Sequence, residues 1–522
     1  MHIFWIAAEN SLLKGAKVGG VADVTAHLCR ALQKLTCRVT VFTPSYGFLH
    51  RHAGAVHLWR YPVRFRGIQH ETDIFAIQNG NAHTDLNQLV VHHPILVSRR
   101  PDSRRFQIYT HDPPRQPYFT DATRFAFFCQ AAAAAVSQQL IQGLDCIHLH
   151  DWHAAFVAIL RRFHPDHECL QAIRTVYSIH NLAFQGIRPF SGSTSSTAAW
   201  FPEMGFDRAA VADPRWPDTL NPMAAAIRLC DAVHTVSPSY ACEIQKPSRP
   251  PHFFGGEGLE TDLRAAAAQG RLTGILNGSP ETAAPVTAHC ERTELLHLFR
   301  SRLIRWSAQH SSPSSADFVG YARALEMQVQ ANRTGMLLTG VSRAGEQKML
   351  ILRAAGGKGP SGLERVLRHL GDKGMFVLLA QGDPQYERFL TEMSARFANF
   401  LFLNGYSETC AAALYTCGDL FIMPSSFEPC GLGQMLAMRR GQPCLVNAVG
   451  GLKDTVRHGY NGFAFQGDTL AEQVDAFVRT AVEAIRLKTD DPASWRKISR
   501  RAAQTAFSWY ETATQYIERL YR

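Results

Sequence analysis

The sequence lacks an apolar segment long enough to cross a bilayer as a helix, so we expect no membrane-spanning part. Residues 1–8 are apolar but too few for the core of a signal peptide, and we expect them to form a strand. The twelve cysteines include no pair separated by two residues, which favours reduced, mostly buried thiols over a disulfide framework or a zinc site. Together these absences predict a cytoplasmic protein without a metal centre.

A dense run of lysine or arginine is also missing, although the net charge is +10. This balance suits an anionic ligand and can also suit nucleic acid, but charge spread along the chain favours the anionic ligand, and we expect no nucleic-acid partner. The chain has 522 residues, of which 46% are hydrophobic and 19% charged. That is typical of a globular protein too long for one core, so the length predicts two domains.

One segment combines a strand, a turn, a carboxylate and a helix. Residues 419–423 have the length and apolarity of a buried parallel strand, and Pro424 ends it. Glu428 follows in the turn, and residues 431–440 are expected to form a helix whose first N–H groups are free. Open α/β sheets bind ligands at this edge. On local pattern alone, an ordinary loop glutamate remains the alternative.

Near the N-terminus a glycine turn follows the first expected strand. Gly19 and Gly20 precede a segment with apolar residues at helical spacing, and paired glycines let backbone amides approach a phosphate closely. Lys17 adds a positive charge beside them. A tight turn without a ligand is the alternative reading of these residues.

Three histidines and an aspartate cluster in residues 148–153 and suggest a metal site. Strand alternation puts only His148 and His150 on one face, and the spacing matches no zinc pattern, so we expect no metal here. Asp151 then stands at the end of that strand. His180 ends another expected strand, residues 174–179, where a structural role is the alternative to a catalytic one.

The second half of the chain starts with an expected strand at residues 336–341 followed by a basic loop. Arg343 and Lys348 on this loop are suited to one diphosphate, because a guanidinium grips two oxygens and an ammonium acts as a point charge. By residue type alone an ordinary solvated loop is the alternative.

Several of these segments resemble one family in family order. Phe427-Glu428-Pro429-Cys430-Gly431-Leu432 resembles the signature of bacterial glycogen synthases and plant starch synthases. Other segments are similar to that family's motifs: Lys17–Val24, His150–His153, Thr175–Gly186, Ser342–Lys348 and Gly450–Val456. The similarity spans nearly the whole chain, and the order of the motifs makes it specific.

The resemblance implies roles for individual residues. The catalytic residues it implies are Glu428, Arg343, Lys348 and His180. The residues it implies for binding the donor are Lys17, Gly19, Gly20, Asp151, Cys430, Gly431 and Leu432. It implies no metal and no cofactor. Glu428 is expected to bind and orient the donor glucose rather than act as a covalent nucleophile.

The implied fold is α/β of the GT-B type, with two Rossmann-like domains facing a central crevice and a C-terminal helix that crosses back. We assign residues 1–285 to the acceptor-side domain, 286–505 to the nucleotide-sugar domain and 506–522 to the crossing helix. The implied activity is transfer of glucose, with retention, from ADP-glucose to the non-reducing end of an α-1,4-glucan.

The chain departs from the family at several positions. Val18 and Gly433 each replace a usual threonine, residues 279–290 differ from the family's hinge, and a longer stretch contains an added helix expected at 316–331. These departures leave two alternatives open. One is a related glucosyltransferase with a small acceptor or UDP-glucose, and the other is a catalytically silent glucan-binding scaffold.

Overall fold

A computed structural model of the chain describes residues 1–78, 86–99, 105–110, 112–279, 291–309, 313–329, 335–357 and 359–522. The chain forms two compact units. The first unit comprises Met1–Ser248, Gly255–Gly278 and Ser508–Arg522, and the second comprises Arg249–Phe254 and Ser279–Phe507. Within the described ranges, no helix combines the length and apolarity that crossing a membrane requires.

The first unit is built on a nine-stranded sheet. The strands of the first unit are β1 (His2–Ile6), β2 (Arg38–Pro44), β3 (Ala55–Phe65), β4 (Ile68–Ile77), β5 (Leu86–His92), β6 (Cys146–His150), β7 (Arg174–Ile179), β8 (Arg188–Pro189), β9 (Thr219–Leu220), β10 (Ala232–Thr235) and β11 (Leu272–Gly274). Strands β8 and β9 form a separate two-stranded ribbon. The order in the main sheet is β11-β10-β7-β6-β1-β2-β5-β4-β3. From β11 to β5 all pairs are parallel, while β3 and β4 add an antiparallel hairpin.

Helices cover both faces of this sheet, which is why its central strands β1 and β6 are buried along their whole length. They are α1 (Gly20–Lys34), α2 (Phe119–Ser137), α3 (Asp151–Phe163), α4 (Thr197–Trp200), α5 (Arg208–Val211), α6 (Pro222–Leu229), α7 (Pro238–Glu243) and α8 (Glu260–Ala268). The alanine-rich α2 is buried along most of its length, because alanine lets neighbouring elements approach closely from every side.

The second unit has a six-stranded parallel sheet in the order β14-β13-β12-β15-β16-β17. Its elements are α9 (Arg292–Ser307), α10 (Ser315–Val329), β12 (Met336–Ala344), α11 (Glu346–Arg353), α12 (Gly362–Leu370), β13 (Gly374–Gly382), α13 (Pro384–Arg396), β14 (Phe400–Asn404), α14 (Glu408–Cys417), β15 (Leu420–Met423), α15 (Gly433–Arg439), β16 (Cys444–Asn447), α16 (Gly450–Thr455), β17 (Gly462–Phe465), α17 (Leu470–Asp490) and α18 (Pro492–Gln504). This is the doubly wound order, in which successive strands are added on one side of β12 up to β14 and then, from β15 onward, on its other side.

The structure refines several expected elements. The strand expected at residues 336–341 continues to Ala344 because β13 pairs with it along its whole length. The added helix is present as α10, and most of the altered hinge, residues 280–290, lies outside the described residues. Among the described cysteines ten carry free thiols, most of them buried, whereas Cys417 departs from the expected reduced state and is disulfide-bonded.

The chain ends by packing against the first unit. Helix α19 (Trp509–Tyr516) and a π-helical turn (Ile517–Tyr521) join the apolar cluster formed by α1 and the strands β1, β2 and β6. The Tyr521 hydroxyl lies 2.8 Å from Nδ1 of the buried His148. Tyr516 is fully buried. The C-terminal segment is therefore part of the first unit's core.

This packing predicts unequal effects of two tyrosine substitutions on the same helix. Tyr516→Ala leaves a cavity in the core and is expected to lower the free energy of unfolding by about 3–5 kcal/mol. Tyr510→Ala, at a position 53% exposed, is the control and is expected to change it by less than about 0.5 kcal/mol. Urea unfolding of both variants measures the difference. Equal effects would show that the C-terminal helix does not belong to the core.

Candidate functional site

In the first unit, the expected site residues stand at one edge of the sheet. Strands β1 and β6 are neighbours, but the chain continues from β1 to β2 on one side of this pair and from β6 to β7 on the opposite side. Crevices at such switch points are where open α/β sheets bind ligands. The glycine turn follows β1, Asp151 follows β6, and His180 follows β7. Parallel strand pairing therefore brings together residues far apart in sequence.

A buried glutamate organises the glycine turn. Oε2 of Glu9 accepts hydrogen bonds from the amides of Val18 and Gly19, at 2.7 and 2.5 Å. Oε1 accepts a hydrogen bond from the Tyr109 hydroxyl at 2.6 Å. The carboxylate thus holds the turn against the end of β1. A Cβ atom on Gly20 would meet nothing within 4 Å, so space is open beside the first residue of α1.

Lys17 and Val18 lie on the exposed side of this turn. The ammonium of Lys17 forms an ion pair with Asp23 at 2.8 Å, and its side chain remains about half exposed. Surface pairs of this kind contribute little to stability, so the lysine is available to an anionic ligand at small cost. Val18 is half exposed, and the described contacts do not explain why it replaces threonine.

Asp151 ties two strand ends together. It adopts a left-handed backbone conformation with φ of 53°, which is uncommon outside glycine, asparagine and aspartate. Its Oδ1 accepts hydrogen bonds from the amides of His180 at 2.7 Å and Asn181 at 3.4 Å. Burial raises the pKa of this carboxyl to about 7, although the two amide hydrogen bonds lower it. Asp151 therefore fixes the backbone that carries His180.

His180 is partly buried and packs against the fully buried His150. Its Nε2 lies 3.0 Å from Nδ1 of His150, whose ring stacks on Trp5 with centroids 4.0 Å apart. Burial lowers the pKa of His180 to about 4. Burial, and after it the charges of neighbouring histidines, hold the pKa of His148 and of His150 well below the usual histidine value. The rings are therefore neutral at physiological pH. Within the part of the chain that the structure describes, no group of three or more potential metal ligands is arranged to hold an ion.

In the second unit, Arg343 and Lys348 stand at the switch point between β12 and β15. Arg343 is the second-last residue of β12, where it pairs with Gln381, and its side chain is exposed. Lys348 lies in the first turn of α11 rather than on a loop. Strand and helix backbone therefore hold both cations, which fixes their spacing more firmly than a loop would.

Lys348 reaches Glu428 and forms an ion pair with its Oε2. Both side chains are largely buried, at 16% and 9% exposure. Two hydrogen bonds hold the turn around Glu428 to the start of α11. The backbone amide of Ser426 donates to the carbonyl of Gln347, and the side-chain Nε2 of Gln347 donates to the carbonyl of Phe427, both at 2.8 Å. The structure thus brings together two residues that lie in separate sequence motifs.

The turn after Glu428 needs its glycines. Gly431 has φ of 76°, a conformation that favours glycine. A Cβ on Gly451 would lie 2.4 Å from the carbonyl oxygen of Cys430, so only glycine allows α16 to approach this turn. Leu432 then precedes the first residue of α15 without a side-chain cap. At Gly433 a Cβ would meet only ordinary contacts at 3.5 Å, so the structure itself does not require glycine there.

The sequence pattern did not single out Glu9. The residue lies just after the first strand, and a charged residue after an apolar run is a weak signal without its partners. Two features together give a stronger signal for Glu9. A carboxylate lies within three residues of a strand end, and the glycine turn that follows has backbone amides that need an acceptor. Glu9 stabilises the turn rather than presenting a free group to a ligand.

Comparison with known proteins agrees with this geometry. A family model described as the starch synthase catalytic domain matches residues 2–265, and one described as glycosyl transferases group 1 matches residues 361–483. Glycogen synthase 1 of Synechocystis sp. is 32% identical over 99% of this chain and 94% of its own length. The chain belongs to the glycogen and starch synthase family. Glycogen synthase of Streptococcus equi subsp. equi is 31% identical, with 99% of each chain covered.

Solved structures show the same relationship for this member of the synthase family. The catalytic domain of starch synthase IV from Arabidopsis thaliana, bound to ADP and acarbose, has a TM-score of 0.74 and 27% identity, covering 99% of this chain and 98% of that one. Sucrose-phosphate synthase from Thermosynechococcus elongatus, at 15% identity and a TM-score of 0.54, shares the fold alone. The chain is a glycosyltransferase with the GT-B fold, as the sequence motifs predicted.

The pair formed by Lys348 and Glu428 predicts a non-additive effect on stability. Lys348→Met leaves the Glu428 carboxylate buried without its partner and is expected to lower the free energy of unfolding by about 3 kcal/mol. Adding Glu428→Gln removes the unpaired charge and is expected to recover most of the loss. Urea unfolding measures both variants. Lys453→Met, at an exposed lysine of the same unit, is the control. A double variant as unstable as the sum of the single variants would contradict the pairing.

The raised pKa of Asp151 predicts a pH-dependent difference in stability. The unfolded carboxyl titrates near pH 4, so between about pH 4 and about pH 7 the folded chain keeps a proton that the unfolded chain releases. The stabilisation from this proton is complete below that window and is lost as the pH rises through it. Asp151→Asn has no such proton.

The difference in melting temperature, Asp151→Asn minus the native chain, is therefore expected to increase from about pH 5 to about pH 8. Asp218→Asn, at an exposed position of the same unit, is the matched control. Differential scanning fluorimetry across this pH range measures both. A difference that stays flat or decreases would show that the Asp151 carboxyl is already ionised in the folded chain at pH 5.

Proposed function

We propose that this chain transfers glucose, with retention at the anomeric carbon, from ADP-glucose to the 4-hydroxyl at the non-reducing end of an α-1,4-glucan. The observation that carries the proposal is the buried pair of Lys348 and Glu428 at the switch point of the second sheet, with Arg343 exposed at the same strand end. Support comes from the glycogen synthases that are similar over their full length and from the starch synthase structure that holds ADP. That bound ADP favours ADP-glucose over UDP-glucose.

The proposed reaction breaks the bond between the anomeric carbon and the β-phosphate oxygen. The bonding electrons leave with the diphosphate, and the sugar acquires oxocarbenium character. The acceptor hydroxyl attacks from the side that the leaving group vacates, and its proton passes to the departing phosphate oxygen. Fixed cations stabilise such a leaving group because they face the charge where it develops. Arg343 and Lys348 are assigned this role.

The remaining residues are assigned to holding the donor. Glu428, once Lys348 turns to the diphosphate, has carboxylate oxygens to accept hydrogen bonds from the sugar hydroxyls. His180, neutral through burial, offers one ring nitrogen as a donor or acceptor to the glucose. Asp151 positions His180 through its amide. The other residues proposed to bind the donor are Lys17, Gly19, Gly20, Cys430, Gly431 and Leu432.

The proposal also assigns roles to the two units. The first unit, with the C-terminal helix, is assigned to the acceptor and the second to the nucleotide sugar. A cytoplasmic location belongs to the same proposal, because a nucleotide-sugar donor is available inside the cell.

The test is release of nucleoside diphosphate from ADP-glucose and from UDP-glucose, each with and without glycogen. The native chain is expected to release ADP only when glycogen is present. Glu428→Ala is expected to lower the rate at least about 100-fold, because the variant loses both a sugar contact and the partner that orients Lys348. Glu392→Ala, at an exposed glutamate of the same unit, is the control.

Other outcomes separate the alternatives. Faster release from UDP-glucose would replace the proposed donor. Release that requires a small sugar instead of glycogen would identify a related glucosyltransferase. Binding to glycogen with no release from either donor would identify a silent scaffold and overturn the proposal.

A further inference from the structure

Trp216 is exposed on a turn that is held rigidly. Its side chain is 53% exposed, in a loop between α5 and β9 of the first unit. Its amide donates to Oδ1 of Asp213 at 3.2 Å, and its carbonyl accepts from the amide and the hydroxyl of Thr219 at 2.9 and 2.8 Å. The backbone on both sides of the indole is therefore fixed.

The guanidinium of Arg215 supports the indole ring from one side. It lies 4.4 Å from the centre of the Trp216 ring, within the range of a cation–π contact. Nε and Nη2 of Arg215 donate to the two carboxylate oxygens of the buried Asp213, at 3.2 and 3.1 Å. A Cβ on Gly258 would lie 2.3 Å from Cδ of Arg215, so glycine is needed for this side chain to pass. Because Arg215 occupies one face, the ring is presented in one orientation.

The same network connects Trp216 to the loop that follows His180. Nη2 of Arg215 donates to Oε1 of Gln185 at 2.8 Å, and Nδ2 of Asn221 bridges Gln185 and Asp213 at 2.7 Å to each. Burial alone would raise the pKa of Asp213, but hydrogen bonds and the charge of Arg215 outweigh it and lower the pKa, so the carboxylate stays ionised. Phe184, next to Gln185, is 60% exposed. Two exposed rings therefore stand on two loops that one buried network holds together.

This arrangement fits a sugar chain better than a protein partner. The faces of a glucose ring carry C–H bonds that pack on an aromatic face, while its rim carries hydroxyls that need polar partners. Two separated rings with Arg215 and Asp218 on the exposed turn offer both kinds of contact. A protein interface instead presents a contiguous apolar patch of several hundred square ångströms.

We propose that Trp216 and Phe184 form a glucan subsite on the first unit, which binds glucose units of the acceptor chain away from its reacting end. The inference rests on the proposed function, because it names where that function's acceptor is held. The rigid turn lowers the entropy lost on binding, since the ring is already oriented before the glucan arrives. Neither Trp216 nor Phe184 is among the residues assigned to the donor, so the subsite is assigned to the glucan rather than to the nucleotide.

The test compares Trp216→Ala with Tyr510→Ala, which removes an aromatic ring of equal exposure elsewhere on the first unit. Trp216→Ala is expected to raise the KM for maltoheptaose about five- to tenfold, with kcat and the KM for ADP-glucose within about twofold of native. Trp216→Phe is expected to recover part of the affinity. Tyr510→Ala is expected to match the native chain. Affinity electrophoresis in gels containing glycogen measures binding without donor.

The outcomes separate this inference from the function on which it rests. If the native chain turns over glycogen and Trp216→Ala behaves like Tyr510→Ala in both assays, the subsite is wrong and the function stands. If the native chain shows no turnover but binds glycogen more tightly than Trp216→Ala does, the subsite stands and the function fails. A loss confined to kcat would overturn the subsite, because binding away from the reacting end changes affinity for the glucan.

Discussion

Parallel strand pairing is the constraint on which the candidate site depends. In a parallel sheet the carboxyl ends of all strands lie at the same edge. The segment that follows one strand therefore lies beside the segment that follows the adjacent strand. In the first unit this brings the chain after β1, β6 and β7 together, and in the second unit the chain after β12 and β15. Lys348 and Glu428 are eighty residues apart and nevertheless form an ion pair. Any register shift in these sheets would separate residues that the proposed chemistry needs together.

Buried carboxylates hold the loops of the first unit in defined shapes. Glu9 accepts the amides of the glycine turn, Asp151 accepts the amide of His180, and Asp213 fixes the turn that carries Trp216. Each acceptor satisfies N–H groups that would otherwise be left without a partner where the sheet pattern stops. A loop held by an internal carboxylate keeps its shape before a ligand arrives. The first unit is therefore organised ahead of binding.

The sequence predicts the strands and the motifs better than their contacts. Apolar runs of strand length and glycine turns are local signals, so β7 begins and ends where the pattern places it. Arg343 was expected on a loop but lies within β12, because the pairing partner β13, which no local pattern reveals, extends the strand. The contacts of Glu9 with the glycine turn and the pairing of Lys348 with Glu428 were not predicted, for the same reason. They are contacts through space between segments that each look ordinary alone.

The histidines show how burial changes what a motif means. The cluster of His148, His150 and His153 in the sequence suggests a metal site, but burial lowers the pKa of all three rings and keeps them neutral. Neutral rings can pack at short distances without charge repulsion, as His148 and His150 do with centroids 4.2 Å apart. The hydroxyl of Tyr521 then closes the group from the C-terminal turn. The C-terminal segment thereby braces the strand that carries His150, and through His150 it supports the ring of His180 that is proposed to meet the donor.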